Sequence, residues 1–157
     1  MRRHTVCLVA VASMLLIPEF TVAQGLNTPF PKLPAGAGQV DADAPQAFAT
    51  TASGLQYRVL RKGAGGAPKA TSTVKVNYHG WFDDGKTFDS SYDRREPIEF
   101  PLDGVIPGWT EGMQLVQPGG MIELVIPGKL GYGPRGMPGA IPPNATLHFL
   151  VELLEVK

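Results

Sequence analysis

The chain has 157 residues, with 14 Lys and Arg against 14 Asp and Glu, 15 prolines and a single cysteine. That length leaves room for one compact domain plus extensions, since domains most often run to about 100–150 residues. The even charge points to neither nucleic acid nor anionic lipid as a partner, and one cysteine excludes an internal disulfide.

The chain starts with a basic Met1-Arg2-Arg3, an apolar stretch over residues 6–17, and small residues at Thr21-Val22-Ala23. This is the pattern of a secretory signal peptide cleaved after Ala23. A membrane anchor is the alternative, but a spanning helix needs about 20 apolar residues, and Pro18 and Glu19 interrupt this stretch. Cys7 sits near the start of the leader, away from the end where a lipid-modified cysteine belongs. Cleavage leaves no thiol, so thiolate catalysis and cysteine-based zinc sites drop out. Loss of Arg2, Arg3 and Glu19 leaves 12 basic and 13 acidic residues. The expectation is a periplasmic or secreted protein that does not contact the membrane after cleavage.

Residues 24–52 carry Pro29, Pro31, Pro34 and Pro45 among small and polar residues, with no sustained apolar period. Such a composition buries too little surface to offset ordering, which predicts a flexible arm that adds nothing to the core. From residue 53 the punctuation becomes regular. Leu55, Tyr57 and Val59, then Val74, Val76 and Tyr78, alternate with other side chains in the period of half-buried strands. Asp83-Asp84-Gly85-Lys86 signals a hairpin turn, and residues 97–100 a short strand. Residues 107–116 form the one predicted helix, opened by Pro107 and closed by Pro118-Gly119-Gly120. Strands over 121–126 and 146–156 flank a Gly- and Pro-rich loop over 128–144. The sum is an α+β domain over 53–157, a curved antiparallel sheet of about five strands wrapped on one short helix.

Five short signatures lie along that domain: Val76-Asn77-Tyr78-His79-Gly80, Phe88-Asp89-Ser90-Ser91, Val105-Ile106-Pro107-Gly108-Trp109, Gly131-Tyr132-Gly133, and Ile141-Pro142-Pro143-Asn144-Ala145-Thr146-Leu147. In this order and spacing they resemble the FKBP-type peptidyl-prolyl cis-trans isomerases, the macrolide-binding immunophilins, in their secreted bacterial form. The resemblance implies a cofactor-free isomerase of the Xaa-Pro bond acting on proline-containing, unfolded or partly folded chains, and inhibition by rapamycin-like macrolides. It also implies a site. Residues matching Tyr78, Phe88, Phe100 and Phe149 would form its walls, Trp109 its floor, and Val105, Ile106 and Ile141 its rim. The Ile106 NH and the Tyr132 hydroxyl would hold carbonyls, and Asp89 would bond Tyr78 at the edge. Asp89, Tyr132 and Tyr78 are therefore the candidate catalytic residues. Some secreted bacterial relatives carry a helical dimerisation stalk. Residues 24–52 have no heptads to build one, so a monomer is expected.

Taken alone, Trp109 and Phe149 are ordinary core aromatics, and Asp89 could serve only to cap a turn. Met137, Ala140 and Ile98 stand where the family often has histidine, a larger aliphatic and an aromatic. All three are expected on the rim, where they bear on substrate preference and macrolide affinity. A hydrolase built on His79, Ser90, Ser91 and Asp89 lacks a Gly-x-Ser-x-Gly elbow, and His79 should face away from Tyr78 along an alternating strand. A metal site lacks ligands, since His79 and His148 have no acidic cluster around them. The competing function is a non-catalytic chaperone or peptide-binding module using the same apolar groove.

Overall fold

The structure, a computed structural model, describes residues 28–157; the signal peptide and its cleavage point lie outside the described residues. The strands are β1 (Ala49–Thr50), β2 (Gln56–Arg61), β3 (Thr73–Trp81), β4 (Thr87–Ser90), β5 (Ile98–Pro101), β6 (Met121–Ile126) and β7 (Leu147–Val156). Two α-helices interrupt them, α1 (Ser91–Arg94) and α2 (Pro107–Met113). The strands form one antiparallel sheet in the order β1-β2-β6-β7-β3-β4, with β5 pairing on β3. The fold class is the expected one. Seven strands replace the expected five or so, because part of the N-terminal arm pairs as β1 and the short β4 and β5 both join β3. The single turn of α1 follows a serine N-cap, since the Ser90 hydroxyl accepts from the Asp93 NH.

Alternation along the long strands sorts the core. On β3, Val74, Val76 and Tyr78 are buried. They point with Ile122, Leu124, Phe149, Val151 and Leu153 into the main cluster, where α2 lies. Gly108 and Gly112, four apart on α2, bring that helix close to the sheet. A Cβ on Gly108 would meet Ile126 at 2.5 Å, and one on Gly112 would meet Leu124 at 2.7 Å. That approach seats Trp109, only 4% exposed, beneath the sheet's concave side.

The other side of the sheet corrects the sequence reading of the arm. Residues 28–52 lie against it instead of standing free. Phe30, Leu33 and Val40 pack with Trp81 on a second cluster of Leu60, Met121 and Leu150. Arg58 on β2 explains why a proline-rich segment stays there. Its guanidinium is fully buried, bonds Glu123 at 2.7 Å, and donates to the Thr28, Pro29 and Gln46 carbonyls at 2.6–2.8 Å. The Phe30 and Phe48 rings cover it at 4.9 and 4.4 Å. The arm thus supplies the acceptors that a buried cation needs, and prolines suit the role because an acceptor needs only a carbonyl.

Candidate functional site

The aromatic side chains of the concave face do not close into a solid core. Between them lies a cleft of about 720 Å³ lined by Tyr78, Phe88, Asp89, Phe100, Gly104, Val105, Ile106, Trp109, Tyr132, Met137, Ala140, Ile141 and Phe149. Trp109 sits at its base at the start of α2. Its ring meets Tyr78, Phe100 and Phe149 edge-on, with centroids 5.5, 5.7 and 5.3 Å apart. Phe88 stands edge-on to Phe149 at 5.4 Å and is backed by Phe82 at 4.8 Å. Edge-to-face packing sets each ring against its neighbour.

Polar groups sit only at the rim. The Tyr78 hydroxyl donates to Asp89, and Arg94 reaches both, bonding the Asp89 carboxylate and donating to the Tyr78 hydroxyl at 2.9 Å. Burial alone would raise the Asp89 carboxyl. The bonds from Tyr78 and Arg94, with the Arg94 charge, outweigh it and hold that carboxyl below its ordinary value. Burial, then the bond to Asp89, pushes the Tyr78 hydroxyl up to about 12. Asp89 is therefore ionised and Tyr78 protonated throughout the neutral range.

Across the mouth, Tyr132 is 36% exposed, and burial followed by the Asp89 charge raises its hydroxyl too. Neither that hydroxyl nor the Ile106 NH at the N-cap of α2 donates to an acceptor among the described residues.

All ten side chains singled out from the sequence, Asp89, Tyr132, Tyr78, Phe88, Phe100, Val105, Ile106, Trp109, Ile141 and Phe149, line this one cleft. Met137 and Ala140 join them on the rim, but Ile98 does not. Strand β5 sets Ile98 opposite Val76 and packs it against the core, because Phe100, two residues on, takes the position nearer the cleft. Arg94 was missed. Its only sequence signal is an arginine five residues after Asp89, and a helix of four residues gives no periodicity to place it. His79 lies on the far side of β3 from Tyr78, half-buried, with its Nδ1 enclosed and without a partner among the described residues. Ser91 is fully buried, its hydroxyl bonded to the Tyr78 backbone, so these residues form no hydrolytic triad.

The family profile described as FKBP-type peptidyl-prolyl cis-trans isomerase matches residues 65–154. FkpA of Escherichia coli K12 is 59% identical over 108 residues, which is 69% of this chain and 40% of that protein. The isomerase Mip of Coxiella burnetii is 47% identical over 108 residues, 69% of this chain and 47% of that one. The chain therefore matches less than half the length of these two curated relatives. Among solved structures, E. coli FkpA superposes with a TM-score of 0.68 at 58% identity, over 70% of this chain and 51% of that one. The structure of AtFKBP13 superposes at 0.64 and 33% identity, over 70% and 98%. Ring-walled cleft, sheet wrapped on one helix and sequence agree, and the chain belongs to the FKBP-type peptidyl-prolyl cis-trans isomerase family.

Proposed function

We propose that the protein catalyses cis-trans isomerisation of Xaa-Pro bonds in unfolded or partly folded chains, without a cofactor. An amide resists twisting by about 18–20 kcal/mol, because resonance places charge on its oxygen. Twisting localises the lone pair on nitrogen and reduces that charge separation. An aromatic cleft that seats a proline away from water therefore favours the twisted amide over the planar one. Proline would seat on Trp109 between Tyr78, Phe88, Phe100 and Phe149. The Ile106 NH and the Tyr132 hydroxyl would hold carbonyls on either side of the bond, and Asp89, fixed by Tyr78 and Arg94, would keep one charge at the rim. The observation that carries this reading is the ring-walled cleft that has the Ile106 NH and the Tyr132 hydroxyl on its lining, neither partnered among the described residues.

The same cleft would take rapamycin-like macrolides, with Met137 and Ala140 setting the affinity. The leader ending at Ala23 supports export to the periplasm or beyond, and the absence of heptads in residues 24–52 supports action there as a monomer. N-terminal sequencing of the exported protein should read Gln24 first, and a retained Met1 would overturn export by cleavage. The test of function is a protease-coupled isomerisation assay on the purified chain with and without rapamycin. Acceleration suppressed by the macrolide is expected. No acceleration, with aggregation of a client still prevented, would assign the groove to a non-catalytic chaperone.

A further inference from the structure

On the face of the sheet away from the cleft, one buried carboxylate gathers groups from three parts of the chain. Glu152 of β7 is 6% exposed. Its Oε1 accepts from the Gly38 NH at 2.7 Å and from the Tyr92 hydroxyl at 2.8 Å, and its Oε2 accepts from Arg61 at 3.0 Å. Gly38 belongs to the N-terminal segment, Arg61 to β2 and Tyr92 to α1. The arrangement is tight: a Cβ on Gly38 would fall 1.9 Å from the Arg61 guanidinium.

Helix α1 matters because it connects this face to the cleft. Four residues cannot hold a helix by their own hydrogen bonds, so tertiary contacts must set its position. Its first residue, Ser91, is tied to β3 by a 2.8 Å bond from the Tyr78 NH to its hydroxyl. Its second, Tyr92, is 8% exposed and reaches Glu152. Its last, Arg94, is the residue that holds Asp89 and the Tyr78 hydroxyl at the cleft rim. Only Asp93 separates the buried anchor from the rim cation.

We propose that Tyr92 and Glu152 are positioning residues for the cleft: their buried hydrogen bond, completed by Gly38 of the N-terminal segment, fixes α1 and so holds Arg94 against Asp89 and Tyr78. This rests on the functional reading of Asp89 and Tyr78 given above. Neither Tyr92 nor Glu152 lines the cleft, so their influence passes through Arg94. Through Gly38, the N-terminal segment belongs to the same support.

The test is steady-state isomerisation by the full chain well below its melting temperature, comparing Tyr92→Phe, Glu152→Leu, Glu152→Gln, Arg94→Ala, the Tyr92→Phe/Arg94→Ala double variant and Asp89→Leu. Tyr92→Phe keeps the ring and removes one hydrogen bond. It should lower kcat/KM about threefold to tenfold, chiefly in kcat, and shift the NMR amide signals of Asp89 and Ser90. Glu152→Leu should lose at least as much, and Glu152→Gln, which still offers an acceptor, should recover most of that loss. The double variant should be within about twofold of Arg94→Ala alone, because coupled residues are not additive. A Tyr92→Phe protein with a lowered melting temperature but wild-type kcat/KM would reduce the bond to a structural one and overturn the proposal. Multiplying losses in the double variant would also overturn it. If Asp89→Leu loses rate and Tyr92→Phe does not, this inference alone falls. If Asp89→Leu keeps the wild-type rate, the functional reading of the rim falls and takes the inference with it.

Discussion

The two faces of the sheet solve opposite problems with the same strands. The concave face buries rings against rings and leaves a space among them, with its polar groups confined to the rim. The far face buries charge, with Arg58 on Glu123 and Arg61 on Glu152, and covers it with a segment that contributes backbone carbonyls and amides together with the Phe30, Leu33, Val40 and Phe48 side chains. The cleft thus lies on one side of β3 and β7, and much of the fastening is on the other.

Breaking the fastening should have the largest effect on stability. Arg58→Ala leaves Glu123 buried without its cation, at a cost of about 3–5 kcal/mol, measurable by urea unfolding. Burial already pushes the Glu123 carboxyl above its ordinary value, against the pull of Arg58. A loss under about 1 kcal/mol would show that the far face is only a cover. Trp109→Ala on the cleft side should cost less than the about 3–5 kcal/mol of a fully enclosed aromatic, because one side of the ring faces the cleft. The sharper contrast comes from Trp109→Leu, which should keep the fold and weaken macrolide binding. Unchanged affinity in that variant would place the ring outside the site.

Removing the cover should have a somewhat smaller effect. A chain beginning at Thr51 loses Phe30, Leu33 and Val40 from the second cluster and three acceptors from Arg58. Three half-buried side chains, each worth part of about 1.5–3 kcal/mol, predict a loss of about 2–4 kcal/mol in chemical denaturation. An unchanged midpoint would restore the free arm expected from sequence.

That arm shows where the sequence stops being legible. The cleft could be read because each of its functions requires a particular side chain, an aromatic wall or a hydroxyl at a glycine-flanked turn, and those residue types stand out at fixed spacing. The cover could not. Its attachment runs through main-chain groups of Thr28, Pro29, Gln46 and Gly38, which any residue would supply, to Arg58 and Glu152, which look like ordinary polar positions of alternating strands. Arg94 was hidden for a related reason, since a single helical turn has no period, and Ile98 shares the cleft-side face of β5 with Phe100 but lies two residues farther from the cleft, a distance along the strand that alternation does not report.

Smaller effects belong to the rim. Tyr132→Phe removes one donor and little shape, worth about 0.5–1.5 kcal/mol, or threefold to tenfold in kcat/KM. Its melting temperature should stay the same. The smallest effect is that of pH. Asp89 titrates below its ordinary value and Tyr78 at about 12, so kcat/KM should be flat between about pH 6 and 9. Stability follows the two shifts in opposite directions. The Asp89 contribution is present above the ordinary carboxylate range and is lost as pH falls through its lowered native value. The Tyr78 contribution is complete below about pH 10 and is lost as pH rises towards 12. A kcat/KM profile with a step between about pH 6 and 9 would contradict this assignment.

The most direct test of the central claim is the isomerisation rate of a short Xaa-Pro peptide measured by NMR exchange with wild-type protein and with Asp89→Leu, both shown to be folded by circular dichroism. The wild type should accelerate exchange far beyond the spontaneous tens to hundreds of seconds. Asp89→Leu, which removes the rim charge and frees Tyr78 and Arg94 from their shared partner, should lose more than the threefold to tenfold expected of Tyr132→Phe. Equal rates for the two folded proteins would contradict the assignment of the chemistry to this rim.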